Sequence, residues 1–283
     1  MLVRKPAVAG QFYPSDPSEL SSLIDQCYTH PLGPGTLPPA PESEAAVAAV
    51  VSPHAGYVYS GPVAAHSYLH VSSMRSPDLL VVVAPNHYGI GSGVSTFREG
   101  DWETPLGRVH VDKEAAGELA DRADVVAFDP EAHRLEHSLE VQLPFLQRLY
   151  GDSVPLLPVS LLFQDVDTAK AVAGGVVEVI RKRRRAVLVA SSDLTHYEPA
   201  DQAKKKDGAL IQQVLKMDLE GFYSTLDRLG VTACGFGAIA TVMEASRSLG
   251  LGRAELLKYA SSGDTSGDNL QVVGYGALRF VPG

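Results

Sequence analysis

Apolar runs rich in valine, alanine and leucine are the feature that most limits the possible fold of this chain. They predict six strands, at 46–52, 78–84, 124–128, 154–160, 186–191 and 271–280. Continuous apolar character is typical of strands that are buried on both faces of a sheet. Amphipathic segments between these runs predict helices at 17–29, 61–72, 112–122, 138–150, 165–183, 200–216, 218–228 and 236–249. This alternation predicts an α/β fold with a largely parallel central sheet flanked by helices.

The domain organisation follows from length and from one proline-rich segment. The chain has 283 residues, which is within the range of single α/β domains. Residues 31–44 contain several prolines, and these oppose regular structure. Only 30 residues precede this segment, too few to fold alone. We therefore expect one domain over 1–283, with 31–44 as a surface loop.

Charge and composition exclude several classes of function. The net charge of −9 disfavours nucleic acid as a partner, because phosphate binding needs clustered lysine and arginine. The one basic run, 181–185, is interpreted as a solvated helix end. No apolar stretch reaches the length of a membrane span or resembles a signal peptide. Two cysteines do not form a disulfide framework. We expect a soluble, cytoplasmic protein that binds neither nucleic acid nor membrane.

Three predicted strands are followed by polar turns that carry a histidine. His54 follows the strand at 46–52, His87 follows 78–84, and His196 follows 186–191. Ligands bind outside the carboxyl ends of the strands in open α/β sheets, so these turns can converge there. Imidazole is the most common metal ligand in proteins. Each histidine alone can also be an ordinary turn residue, but the repetition favours a shared site.

Two further positions are candidates for chemistry. Cys234 lies among small residues before a predicted helix, where the helix dipole favours a thiolate; the alternative is a small buried apolar residue, which suits Cys27 well. His137 precedes the helix predicted at 138–150 and can act as a general acid or base. The alternative there is a helix-capping cluster, with Ser138 as the N-cap and nearby glutamates solvated.

Short segments spread along the chain carry a family resemblance. They are Pro6-Ala-Val-Ala-Gly-Gln-Phe-Tyr-Pro14, Pro53-His-Ala-Gly-Tyr57, Pro85-Asn-His87, Glu136-His-Ser-Leu-Glu140, Ser192-Asp-Leu-Thr-His-Tyr197 and Cys234-Gly235. Together they resemble the Memo family, in particular its prokaryotic branch, AmmeMemoRadiSam system protein B. The resemblance covers essentially the whole chain. It implies a fold like that of the class III extradiol dioxygenases.

The resemblance also implies a mononuclear non-haem metal pocket. Its implied ligands are His54, His87 and Cys234, where the cysteine replaces the carboxylate that those dioxygenases use. Asp193, His196 and His137 are implied to lie nearby in catalytic roles. Iron(II) is the implied cofactor, with copper or zinc as alternatives because a thiolate is a softer ligand than a carboxylate. A pathway link to a radical S-adenosylmethionine protein is implied as well.

Three functions remain open from the sequence. The first is a metal-dependent, dioxygenase-like redox enzyme acting on an unidentified substrate. The second is a non-catalytic module that uses the same pocket to bind a small anionic, aromatic or peptide ligand. The third is a metal-free hydrolase with Cys234 as the nucleophile.

Overall fold

The computed structural model describes residues 2–283 and contains two β-sheets with helices around them. The strands are β1 Val3–Arg4, β2 Val47–Ser52, β3 Leu79–Pro85, β4 Val94–Thr96, β5 Asp101–Thr104, β6 Gly107–His110, β7 Val126–Phe128, β8 Leu156–Leu161, β9 Ala186–Ser191, β10 His196–Glu198, β11 Arg253–Ser261 and β12 Val272–Val281. The helices are α1 Pro17–Thr29, α2 Tyr57–Ser72, α3 Lys113–Arg122, α4 Leu143–Tyr150, α5 Val166–Arg181, α6 Ala200–Leu215, α7 Leu219–Leu229, α8 Phe236–Ser248 and α9 Ser262–Ser266.

The main sheet has nine strands and is mixed. Its order is β10-β12-β2-β9-β3-β8-β4-β7, and β11 pairs with β12. The four central strands β2, β9, β3 and β8 run parallel, whereas β12 and β4 pair antiparallel with β2 and β8. The sheet that we predicted to be largely parallel is therefore mixed, with parallel pairing in the centre and between β4 and β7 at one margin. A smaller three-stranded sheet has the order β1-β5-β6.

Helices cover both faces of the main sheet, as predicted. Along β3 the alternate residues Leu79, Val81 and Val83 belong to one apolar core, which includes side chains of α3, α5 and α8. The intervening residues of β3 belong to a second core, which includes side chains of α1, α2 and α4. Successive side chains of a strand point to opposite faces, so an entirely apolar strand contributes to both cores. This explains why the central strands read as continuous apolar runs.

The helix predicted at 138–150 is the clearest local departure. A short 3₁₀ helix occupies Glu140–Gln142, and the α-helix begins only at Leu143. Ser138 is not the N-cap, because its hydroxyl donates to the backbone carbonyl of Pro85 at 2.8 Å. A long-range bond thus replaces the predicted local one.

Other sequence predictions can be compared directly with the structure. Residues 31–44 contain no helix or strand beyond an isolated bridge from Ser43 to Met74. The basic run begins at Arg181, the last residue of α5, and continues beyond it, where Lys182 pairs with Glu118 at 2.7 Å and Arg185 pairs with Glu44 at 2.7 Å. Within residues 2–283, no helix combines the length and the apolar character needed to cross a bilayer.

Candidate metal centre

Three neighbouring parallel strands place the predicted site residues at one edge of the sheet. His54 follows β2, His87 follows β3, and Asp193 follows β9, which lies between those two strands. Their carboxyl ends meet at the same edge because the strands are parallel. The predicted convergence of the strand-end residues is therefore present.

The most compact group at this edge is a set of three histidines. His54, His87 and His137 each offer a ring nitrogen, and these atoms all lie within 4.8 Å of one another. The rings of His87 and His137 stack, with centroids 4.7 Å apart and planes inclined by 19°. The His54 ring is nearly perpendicular to the His87 ring, at 83°. His137, expected to be catalytic, thus stands among the nitrogen donors.

Cys234 adjoins this group through His54. Its Sγ lies 3.1 Å from Nε2 of His54, although 180 positions separate the two residues along the chain. The turn before α8 brings the thiol there, and the Gly235 N–H donates to the Ser192 hydroxyl at 3.0 Å. A Cβ on Gly235 would lie 2.2 Å from the Ser191 carbonyl oxygen, so only glycine permits this approach. The small residue that follows Cys234 therefore lets this turn pack closely against the end of β9.

Asp193 and His196 also reach the site. Asp193 is buried, and its Oδ1 accepts the backbone N–H of His54 at 2.8 Å. Burial raises the pKa of Asp193 to about 6. His196 is half-buried, and its Nδ1 lies 3.0 Å from the carbonyl oxygen of Thr232. Asp193 thus holds the backbone of one histidine, while a carbonyl group holds the ring of the other.

Glu136 is a site residue that sequence reasoning missed. The alternative of a helix-capping cluster has Glu136 solvated, but this residue is only 1% exposed. Its Oε1 lies 2.9 Å from Nδ1 of His87 and 3.5 Å from Nδ1 of His137. Burial by itself would raise the pKa of Glu136, but the hydrogen bond from His87, electrostatic interaction with the His87 and His137 rings and the hydrogen bond from the Ser138 N–H bring that pKa down to about 2. One ionised carboxylate thus faces two rings of the cluster.

Glu140 is the second glutamate that the capping-cluster alternative has solvated, and the structure disagrees with that alternative here as well. It is fully buried and forms an ion pair with Arg4. Its carboxylate accepts the backbone N–H groups of Ala7 at 2.8 Å and Val8 at 3.1 Å. These bonds fasten the N-terminal segment beside the site. The sequence signal was Glu140 itself, a charged residue at the start of an apolar helix.

The electrostatics of the site favour a neutral imidazole at His54 and at His137. Burial, followed by repulsion from His137 and His87, lowers the pKa of His54 well below its ordinary value. Burial also lowers the pKa of His137 to about 4. Neutral imidazole is the form that ligates metal ions. Donor type, spacing and protonation state therefore fit a bound ion, and the three-histidine cluster could hold one.

A cleft of about 350 Å³ opens onto the histidines. Its lining residues are Phe12, His54, Ala55, Gly56, His87, His137, Asp193, His196, Tyr197 and Val273. The Phe12 ring lies 4.8 Å from the His137 ring, so the fastened N-terminal segment forms one wall. A cleft of this size suits a small molecule or a single side chain.

Comparison with known protein families identifies the chain. The family described as Memo-like protein matches residues 4–279. The chain belongs to the Memo family. One relative is a MEMO1 family protein of Methanopyrus kandleri, which is 47% identical over 281 residues, an alignment that covers 99% of each chain. Another is a MEMO1 family protein of Nitrosopumilus maritimus, which is 47% identical over 280 residues, covering 99% of this chain and 100% of the relative. A third, from Sulfolobus acidocaldarius, is 44% identical over 283 residues and 99% of each chain. The resemblance to the Memo family seen in the sequence is confirmed.

Proposed function

We propose that this Memo family protein is a metal-dependent oxidoreductase that acts on a small molecule. One observation supports this above all: three histidine rings meet at an open cleft, and the thiol of Cys234 contacts one of them, His54. His54 and His87 are the proposed ligands, with Cys234 as the third. Iron(II) is the proposed ion, and copper or zinc are the alternatives that a thiolate ligand favours.

The hydrogen bonds around the rings support this ligand set. Nδ1 of His54 contacts the Ser191 hydroxyl at 2.8 Å, and Nδ1 of His87 contacts Glu136 at 2.9 Å. Each ring therefore keeps Nε2 free for an ion. Metal-ligating histidines commonly use their second nitrogen in this way. His137 is a further nitrogen donor of the cluster, so His137 and Cys234 compete for the third ligand position.

The remaining residues would serve the chemistry. A bound iron(II) or copper ion supplies redox chemistry and open coordination positions. His196 lines the cleft with Nδ1 held by Thr232, so its Nε2 is placed to accept or donate a proton. Asp193 keeps His54 in place through the backbone. A dioxygenase-like reaction, which the resemblance to class III extradiol enzymes implied, is our specific proposal.

Metal analysis of anaerobically purified protein tests this proposal. We expect about one ion per chain in the wild type and a loss of most of it in His54→Ala, His87→Ala and Cys234→Ser. His110→Ala is the matched control, because His110 is exposed and pairs with Asp101 instead. His137→Ala resolves the competition for the third position. Full metal content in His54→Ala would refute the site.

A binding module is the second candidate, supported by the aromatic lining of the cleft. Tyr197 is 71% exposed at its mouth, and Phe12 lies against His137. These rings suit an anionic, aromatic or peptide ligand. The proposed pathway link to a radical S-adenosylmethionine protein is compatible both with an oxidoreductase and with a binding module. Ligand binding that survives removal of the metal by a chelator, without consumption of O₂, favours this candidate.

A Cys234 nucleophile is the third candidate, since its Sγ lies 3.1 Å from Nε2 of His54. Burial raises the pKa of this thiol, which disfavours the reactive thiolate in the metal-free protein. The rate of alkylation of Cys234 distinguishes a metal ligand from a nucleophile. A metal-bound sulfur reacts slowly until chelator is added, whereas a nucleophile reacts without chelator.

A further inference from the structure

A buried chain of hydrogen bonds lies behind His54, on the side away from the cleft. Ser191, at the end of β9, contacts Nδ1 of His54 through its hydroxyl oxygen at 2.8 Å. The same hydroxyl contacts the side-chain nitrogen of Gln142 at 2.7 Å and the backbone carbonyl of Ser138 at 2.6 Å. Gln142 in turn contacts the hydroxyl of Tyr68. These side chains are all buried.

The orientation of the Gln142 amide is determined by its neighbours. Its Nε2 lies 3.0 Å from the backbone carbonyl oxygen of Pro53. A carbonyl oxygen only accepts hydrogen bonds, so the amide group facing it must be the NH₂. The second hydrogen of that NH₂ then points to the Ser191 hydroxyl. Rotating the amide would place two oxygens in contact and would leave Pro53 without a donor.

The hydrogen bonds of Ser191 then determine which ring nitrogen of His54 carries the hydrogen. A serine hydroxyl donates one hydrogen and accepts through two lone pairs. The carbonyl of Ser138 can only accept, so it takes the single hydrogen of Ser191. Gln142 donates to one lone pair, and only an acceptor position remains for the imidazole. Nδ1 of His54 must therefore carry the hydrogen.

We propose that Ser191 and Gln142 are positioning residues that hold His54 in the Nδ1–H tautomer, with the Nε2 lone pair directed into the cleft. This leaves Nε2, which faces Cys234, as the only atom of His54 that can ligate an ion. Glu136 does the same for His87, because an ionised carboxylate also only accepts. Two hydrogen-bond networks, which meet at the backbone of Ser138, thus present the same ring nitrogen.

Nitrogen-15 NMR of the imidazoles in the metal-free, full-length protein tests the tautomer. The resonances of His54 are assigned by their absence from His54→Ala. We expect the hydrogen of the His54 ring on Nδ1 in the wild type. In Ser191→Ala we expect a larger population of His54 with the hydrogen on Nε2. Gln142→Met is the second variant: it removes one donor to Ser191, but the Ser138 carbonyl still takes the Ser191 hydrogen, so we expect a smaller shift toward Nε2–H than in Ser191→Ala. Hydrogen on Nε2 of His54 in the wild type overturns the proposal.

The matched control is Ser160→Ala. Ser160 is buried on β8, which β3 separates from β9 in the same sheet. Its hydroxyl has no hydrogen-bond partner among residues 2–283. We expect this variant to keep the wild-type tautomer. A tautomer change in Ser160→Ala equal to that in Ser191→Ala would mean that loss of any buried hydroxyl disturbs the site, and the proposal would fail.

The consequence for metal binding rests on the proposed function and is measured separately, with Zn²⁺ as the probe. We expect Ser191→Ala to bind Zn²⁺ roughly 10- to 100-fold more weakly than the wild type, the usual effect of losing the partner of a ligating histidine. Unchanged tautomer and unchanged Zn²⁺ affinity in Ser191→Ala overturn the inference. A wild type that binds no Zn²⁺, Fe²⁺ or copper refutes the proposed function alone, since the tautomer is read without metal.

Discussion

At the scale of single residues, Glu136 has the most demanding role at the site. Its carboxylate contacts the His87 ring, lies 3.5 Å from Nδ1 of His137, and accepts the backbone N–H of Ser138 at 2.9 Å. Carboxylates that hold metal-ligating histidines orient the ring and increase its basicity. Glu136 therefore links the turn after β3 to the turn that carries His137.

Replacing Glu136 by glutamine tests this link. The amide can still accept one hydrogen bond, but it no longer offers a charged acceptor to both rings. We expect metal affinity to fall roughly 10- to 100-fold in Glu136→Gln, measured by competition with a chelator. Glu131→Gln is the control, because Glu131 is exposed and pairs with Arg134. Equal affinities in the two variants would show that Glu136 does not support the site.

At the scale of elements, the N-terminal segment is held in place by one buried carboxylate. Glu140 pairs with Arg4 and accepts bonds from Ala7, Val8 and the hydroxyl of Tyr13. Arg4 also donates to the backbone carbonyls of His133 and Glu136. This network connects β1 to the 3₁₀ helix at Glu140–Gln142 and places Phe12 against His137.

Glu140→Leu should therefore be strongly destabilising. Arg4 would remain buried without its partner, which typically costs about 3–5 kcal/mol. Urea unfolding followed by circular dichroism measures the loss. Lys5→Ala is the control, because the exposed Lys5 pairs with Glu103 at the surface and should change stability by about 1 kcal/mol or less. A loss below 1 kcal/mol in Glu140→Leu would contradict the role of this carboxylate.

The turn before α8 makes a second prediction at this scale. In Gly235→Ala the new Cβ would meet the Ser191 carbonyl oxygen at 2.2 Å, so the turn that carries Cys234 must shift. We expect a destabilisation of about 1–3 kcal/mol together with weaker metal binding. Gly174→Ala is the matched control, because nothing lies within 4 Å of its Cβ and helical glycine-to-alanine changes stabilise by about 0.5–1 kcal/mol. Wild-type stability and metal binding in Gly235→Ala would contradict the close approach.

At the scale of the whole molecule, buried histidines make stability depend on pH. Burial, followed by the charge of Arg4, lowers the pKa of His133 to about 3. His133 stays neutral in the folded protein, while the unfolded chain takes up a proton below about pH 6.5. The contribution of neutral His133 to the free energy of unfolding is therefore fully present above pH 6.5 and is lost as the pH falls toward 3. Asp193, with its raised pKa, binds a proton in the folded state and offsets part of this loss.

We therefore expect a shallower acid dependence in His133→Leu. Between pH 7.5 and 4.5 the wild type should lose about 2–3 kcal/mol more than the variant, because one fewer proton is taken up on unfolding. Urea unfolding at several pH values measures both slopes. His110→Leu, at an exposed position, should keep the wild-type slope. Parallel curves for the wild type and His133→Leu would show that His133 is not protonated on unfolding.

The positions of most helices, the central strands and the strand-end histidines were predictable from the sequence. A strand buried on both faces must be apolar throughout, and β3 shows this over its whole length. Parallel neighbours then place their following residues at a common edge, which is why His54 and His87 could be expected together. Cys234 could be placed beside His54 only through family resemblance, because spacing along the chain carries no such information.

What the sequence by itself determined is local: apolar continuity, amphipathic period and the residue types that follow each strand. Only the tertiary structure decided the antiparallel pairings of β12 and β4, the unpredicted strands β1, β4, β5, β6, β10 and β11, and the hydrogen-bond partners of the site. Glu136 meets His87 across 49 positions, and Glu140 meets Arg4 across 136. A charged residue is stable in the core only where the folded chain brings its partners to it, and such partners leave no mark in the local sequence.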